Sequence, residues 1–132
     1  MLFICKYNRF RSKIAEARLK AVCPGVLVRS RGIIEGKMNH DVEELRACDN
    51  FGLNIRSAPR GVSYSDLEWA DYVVVVASDV PKSLFKLKGF SYKLVSFDID
   101  DVCPDYSVAD VEKVVRKVLK ATDLFCEGLG KV

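Results

Sequence analysis

The chain is poor in the materials of several chemistries. It has one histidine, His40, among 132 residues, which leaves almost nothing for a histidine metal site or a Ser-His triad. Its five cysteines, Cys5, Cys23, Cys48, Cys103 and Cys126, are odd in number and never spaced Cys-x-x-Cys. Neither a zinc site nor a disulfide framework is therefore expected, and reduced thiols fit best. No run approaches the roughly 20 apolar residues of a membrane span, and the first residues enter a strand without a signal-peptide core. A cytoplasmic location follows as an expectation, with no membrane partner. The 21 basic residues are dispersed against 18 acidic ones for a net charge of +3, and no long basic run supports nucleic-acid binding. Repeats and low-complexity segments are missing as well. What remains is 49% hydrophobic and 30% charged, an ordinary globular balance, and the length suits one domain over residues 1–132.

Strand and helix signals alternate along the chain. Leu2 to Ile4 reads as a short buried strand, residues 12–22 as a helix broken by Cys23-Pro24-Gly25, and Val26 to Arg29 as a second strand. Asp41 with Glu44 forms a capping-box pattern opening a helix that Asp49-Asn50-Phe51-Gly52 closes, with His40 on the surface near its start. Leu53 to Val62 is a loop, and Ser65-x-x-Glu68 starts a short helix. Tyr72 to Ala77 is continuously apolar and β-branched, as for a strand covered on both faces. Asp79 with Pro81 begins another short helix, and Lys93 to Ile99 gives a fourth strand. In the last helix Val111, Val114, Val115, Val118, Leu119, Thr122 and Phe125 recur at three and four residues, while Glu112, Lys113, Arg116, Lys117 and Lys120 face away. This alternation implies an α/β, three-layer domain: a four-stranded parallel sheet of flavodoxin-like order 2-1-3-4 with helices on both faces. The end of the first strand then lies at the switch point, where ligands bind.

A thiol stands at that strand end. In Cys5-Lys6-Tyr7-Asn8-Arg9-Phe10-Arg11-Ser12 it is followed by a guanidinium six residues on, a hydroxyl beside that, and the start of a helix. An anion here would sit among backbone N–H groups at the positive end of the helix. The same field favours thiolate over thiol and makes Cys5 a candidate nucleophile.

This segment resembles the active-site loop of the low-molecular-weight protein tyrosine phosphatases: a cysteine, five residues, then arginine and serine, with Asn8 at the family's asparagine. The resemblance continues through Ser12-Lys13-Ile14-Ala15-Glu16-Ala17 and returns at Ser30-Arg31-Gly32, Ser57-Ala58-Pro59-Arg60 and Ala70-Asp71-Tyr72-Val73. It implies hydrolysis of phosphomonoesters, phosphotyrosine in proteins above all, through a cysteinyl-phosphate and without metal or cofactor. Arg11 would hold two phosphoryl oxygens in a bidentate fork, with residues Lys6, Tyr7, Asn8, Arg9, Phe10, Arg11 and Ser12 forming the phosphate loop. Ser12 would hydrogen-bond the Cys5 sulfur, and Asn8, which tolerates left-handed backbone, would keep the loop wound.

The acid should leave the fourth strand near Asp98-Ile99-Asp100-Asp101-Val102. The family pattern places it at Asp101, with Val102 where a proline is usual; Asp105 and Asp100 are the alternatives. Other departures lie in the loop. Tyr7 stands where the family prefers glycine, Phe10 where a second cysteine is frequent, and Lys13 where proline is usual. A bulky Tyr7 at positive φ would cost roughly 1–2 kcal/mol. Arg9 replaces a small or aliphatic residue facing substrate, either adding anion affinity or obstructing the pocket. The segment between Gly32 and Asp41 lacks the family's flanking aromatic, for which Tyr7 or Tyr106 are the substitutes. These departures keep open an arsenate reductase, which needs partner cysteines such as Cys48 or Cys103, a phosphoarginine phosphatase, and a phosphate- or phosphoprotein-binding module without turnover.

Overall fold

Every residue of the first strand is apolar and buried, as a strand covered on both faces requires. In chain order the elements are β1 (Leu2–Cys5), α1 (Arg11–Val22), β2 (Arg29–Gly32), α2 (Val42–Asn50), α3 (Tyr64–Trp69), β3 (Tyr72–Val75), a 3₁₀ turn (Lys82–Phe85), β4 (Lys93–Ser96) and α4 (Val108–Leu129). They are taken from a computed structural model that describes residues 1–37, 40–101 and 106–129. The four strands form one parallel sheet of order β2-β1-β3-β4, as their alternation with helices implies. Side chains leave β1 alternately. Phe3 enters a core built with Ile14 and Leu19 of α1, Ala47 of α2 and Val111, Val115 and Val118 of α4. Leu2 and Ile4 enter a smaller core on the other face with Leu67 of α3, Val80 and Phe85. Each such fully buried aliphatic side chain contributes about 1.5–3 kcal/mol relative to exposure. Among the described residues no helix is long and apolar enough to cross a membrane.

Several expectations are corrected. The second strand is Arg29–Gly32 rather than Val26 to Arg29. Its ladder opens where the Arg29 N–H donates to the Met1 carbonyl (2.9 Å), and Arg29 lies opposite Leu2. Val26 and Val28 instead pack against the larger core before the strand begins. The polar sequence Arg-Ser-Arg-Gly is tolerated because this is an edge strand. Its charges are also answered: Arg29 and Arg31 both reach Asp66 (3.2 and 3.1 Å), and Arg29 lies over the Trp69 ring. That buried Asp66 also explains the earlier start of α3, whose capping box is Ser63 with Asp66 rather than Ser65 with Glu68. The third and fourth strands end at Val75 and Ser96, short of Ala77 and Ile99. The expected short helix after Asp79 is the 3₁₀ turn.

The thiols are not all reduced. Cys23 and Cys126 are joined in a disulfide that links the end of α1 to α4. The two cysteines are 103 residues apart, so no local spacing announces the bond.

Candidate active site

The turn from β1 into α1 is shaped by where its carbonyls go. Those of Cys5, Lys6 and Tyr7 accept from the N–H groups of Ile33, Ile34 and Gly36 (3.1, 3.0 and 3.1 Å). The Arg9 carbonyl meets the His40 ring nitrogen at 2.6 Å, and the Phe10 carbonyl accepts from Ile14 (3.0 Å). In a planar trans peptide the N–H points opposite to the carbonyl, and the described chain has no cis bond. The N–H groups of Lys6, Tyr7, Asn8, Phe10 and Arg11 are therefore turned to the other side of the loop, forming a nest of donors for an anion.

Two residues let the chain take this path. Asn8 adopts the left-handed φ of 54°, the sole non-glycine residue described with positive φ. Tyr7 therefore escapes the strain expected of it. Gly32 is pressed against the loop: a Cβ there would lie 2.7 Å from the Tyr7 carbonyl carbon and 2.8 Å from the Asn8 nitrogen.

Cys5, 3% exposed, lies on the floor of a pocket of about 40 Å³ lined also by Tyr7, Arg9, Phe10, Arg11, Glu44 and Asp101. Its Sγ is 3.0 Å from Ser12 Oγ, which accepts from Asn8 Nδ2 at 2.9 Å; Asn8 Oδ1 accepts from the Arg60 N–H (2.9 Å). Thus Asn8 winds the loop and braces the hydroxyl that holds the sulfur. The helix behind the loop is open to an anion, since α1 has no side-chain cap and no acid in its first turn, whereas α2 and α3 carry capping boxes at Asp41 and Ser63.

Arg11, 3% exposed, is clamped in place. Its Nη1 donates to the Ile99 carbonyl (2.9 Å), and its Nη2 is 2.9 Å from Asp79 and 3.7 Å from Asp101. Arg9 pairs with Glu44 at 3.4 Å along the pocket wall. Burial pushes the Glu44 carboxyl above its ordinary value, against the Asp41 N–H and the Arg9 charge. Asp100 is turned aside, accepting from the Ser78 hydroxyl, while Asp105 lies outside the described residues. Of the aromatic substitutes, Tyr7 lines the pocket, whereas the Tyr106 hydroxyl donates to Asp41. Lys6 is stacked over the Tyr7 ring at 5.2 Å.

Sequence reasoning did not find Asp79 as the Arg11 partner, although a carboxylate just past the end of β3 lies where parallel sheets bind ligands. Glu44 was legible only as a cap. Lys13, noted as a departure from proline, is a buried cation whose Nζ donates to Ser57 Oγ (2.7 Å) and the Ala58 carbonyl (3.3 Å). Burial pushes its ammonium below the usual lysine range, while Glu16 and Cys5 act to raise it. Among the described residues no group of three or more His, Cys, Asp and Glu could hold a metal ion.

A parallel α/β sheet whose first strand ends in a buried cysteine, beside an uncapped helix, defines a class of α/β domains with a thiol at the switch point. Within that class the chain belongs to the family of low molecular weight phosphotyrosine protein phosphatases, whose model matches residues 1–121. Solved structures share the fold. A low molecular weight phosphotyrosine phosphatase from Vibrio cholerae O395 superposes with a TM-score of 0.83 at 18% identity, covering 98% of this chain and 95% of its own. The YwlE arginine phosphatase from Geobacillus stearothermophilus gives 0.80 at 20% identity (98% and 92%), and an arsenate reductase from Archaeoglobus fulgidus gives 0.77 at 20% (96% and 98%). No curated protein matches the chain.

Proposed function

We propose that this chain hydrolyses phosphomonoesters, phosphotyrosine in proteins first among them, through a cysteinyl-phosphate on Cys5. The observation that carries the reading is the Cys5 sulfur hydrogen-bonded to Ser12 in a pocket that Arg11 and Asp101 also line. In the proposed cycle the phosphoryl dianion displaces Asp79 and Asp101 from Arg11, which turns its fork to two phosphoryl oxygens. Loop N–H groups take the remaining charge as it develops. The Cys5 thiolate forms the S–P bond as the P–O bond breaks, and the leaving oxygen takes its proton from Asp101. Asp101, now a carboxylate, removes a proton from water. That water attacks phosphorus, breaks the S–P bond and releases phosphate and thiolate. The loop residues Lys6 to Ser12 form the phosphate site. Catalysis is assigned to Cys5, Arg11 and Asp101, with Asp105 the next acid in order and Asp100 after it.

Two observations weigh against the other chemistries. An arsenate reductase must resolve its intermediate with a second thiol; of the two candidates Cys48 is buried in the core with its thiol pushed up to about 12 by desolvation, Cys103 lies outside the described residues, and Cys23 and Cys126 sit where α1 ends against α4, outside the pocket. A phosphoarginine substrate would bring its guanidinium toward Arg9 on the pocket wall. The proposal sets the enzyme in the cytoplasm among phosphorylated proteins. Hydrolysis of p-nitrophenyl phosphate, inhibited by orthovanadate and independent of thiol or arsenate, is the expected result. Cys5→Ser should fall to the uncatalysed rate while still binding orthovanadate; saturable phosphate binding without turnover in the unmodified protein would instead make it a binding module.

A further inference from the structure

A second concavity adjoins the catalytic loop. It is a groove of about 420 Å³ on the α3 side of the sheet, walled by Ile33, Val62, Tyr64, Leu84, Phe85 and Leu87. It neighbours the active site through the backbone: the N–H groups of Ile33 and of the adjoining Ile34 bond the carbonyls of Cys5 and Lys6. Tyr64, Leu84, Leu87 and the neighbouring Ile34 are large apolar side chains left exposed, a concentration that marks binding surfaces more often than chance exposure does.

The charge on the wall of the groove opposite α3 has one sign. Residues 80–97 carry four lysines and no Asp or Glu, on a chain whose whole excess is +3. Lys82, Lys86 and Lys88 are exposed and alternate with the groove residues Leu84, Phe85 and Leu87. Among the described residues none of these three lysines has an ion-pair partner. An apolar slot edged by uncompensated ammonium groups complements an extended peptide bearing a large apolar side chain flanked by carboxylates. The slot is concave and contains Ile33, whose N–H bonds the Cys5 carbonyl, a shape and a position that suit a peptide segment near the catalytic loop better than a flat lipid surface.

We infer that this groove receives the segment flanking the phosphotyrosine of a protein substrate, seating an apolar side chain against Leu84 and Leu87 while acidic neighbours face Lys82, Lys86 and Lys88. The inference rests on the phosphatase reading above and names the substrate class of that site.

The test compares kcat/KM for phosphotyrosine peptides that carry Leu with Asp or Glu, placed at successive positions on either side, against peptides with Ser and Lys there. p-Nitrophenyl phosphate, which cannot reach the groove, is the control. The acidic, apolar peptides are expected to be preferred by about tenfold or more at low salt, with the advantage shrinking as salt is added. The triple variant K82E/K86E/K88E, and separately Leu84→Ser, should abolish the preference while leaving p-nitrophenyl phosphate turnover within about twofold, because rim charges act on encounter rather than chemistry. Equal kcat/KM for all peptides, or a preference that survives both variants, overturns the inference while normal p-nitrophenyl phosphate turnover leaves the phosphatase reading standing. So does lysine-dependent sedimentation with phosphatidylserine vesicles without peptide discrimination, which would make the surface a membrane contact. Absence of p-nitrophenyl phosphate turnover removes both readings.

Discussion

Asn8 carries more of the site than its size suggests. Its left-handed backbone turns the loop, its amide nitrogen braces Ser12, and its carbonyl oxygen fixes the segment at Arg60. The first of these was legible, because asparagine is among the few residues that enter this region cheaply; the bond to Arg60 was not, because 52 residues separate the partners. The same division holds for Arg11. Its spacing from Cys5 could be read directly, while the carboxylate 2.9 Å away, Asp79, depends on where β3 ends in space. Asp101 is the residue on which the proposed chemistry can be divided most cleanly, with its side chain 54% exposed and 3.7 Å from Arg11. Asp101→Ala is expected to lower kcat by about 10²–10⁴ for substrates with poor leaving groups, and far less for p-nitrophenyl phosphate, whose leaving group needs little protonation. A plot of rate against leaving-group pKa checks this. An unchanged slope would remove Asp101 from the role, and a steepened slope in Asp105→Ala instead would transfer it there.

Helix termini separate the catalytic element from the supporting ones. A capping box closes the start of α2 and of α3, but α1 begins uncapped beneath the phosphate loop, so its positive end is left for an anion. The box at Asp41 was legible as a local pattern. The one at Ser63 was displaced by two residues in the sequence reading because Ser65-x-x-Glu68 satisfies the same rule. What decides between them is tertiary: Asp66 is buried and takes both Arg29 and Arg31 from the edge strand. The apolar run Val26 to Val28 drew the second strand away from Arg29–Gly32 for a similar reason, since hydrophobicity marks burial and not ladder pairing. Burial works to raise the Asp66 carboxyl, but the Ser63 N–H, the Arg31 charge and their hydrogen bonds outweigh it and hold it below its ordinary value. A carboxyl lowered in the native state stabilises fully above its unfolded value of about 3.9, and that stability is lost as pH falls through the lowered native value. Asp66→Asn is therefore expected to cost about 2–3 kcal/mol at pH 7 and progressively less below about pH 4. Urea unfolding across pH measures this, and a cost that stays constant in acid would contradict it.

The order of the sheet and the placement of Cys5 at its switch point were legible because alternating strands and helices leave few right-handed ways to wind. Contacts closing across the whole molecule were not. α1 and α4 meet along a seam that holds the Arg18–Asp123 pair (2.7 and 2.9 Å) and, at its end, the Cys23–Cys126 bond. Both joins span more than a hundred residues: 105 for the ion pair and 103 for the disulfide. A cross-link closing so long a loop removes much unfolded-state freedom. Reduction, or Cys126→Ser, is expected to lower stability by about 2–4 kcal/mol without changing p-nitrophenyl phosphate turnover in the folded protein, because the bond joins α1 and α4 outside the pocket residues. Urea midpoints with and without reductant test it; identical midpoints would contradict a constraining role.

The central claim, that Cys5 carries the phosphoryl group, is tested most directly by rapid acid quenching of the Asp101→Ala protein during p-nitrophenyl phosphate turnover, followed by mass analysis of its peptides. The account predicts one added phosphoryl group on the peptide containing Cys5, absent from Cys5→Ser and lost on prolonged incubation without substrate. Turnover with no phosphoryl group on that peptide, or with one on another residue, would contradict it.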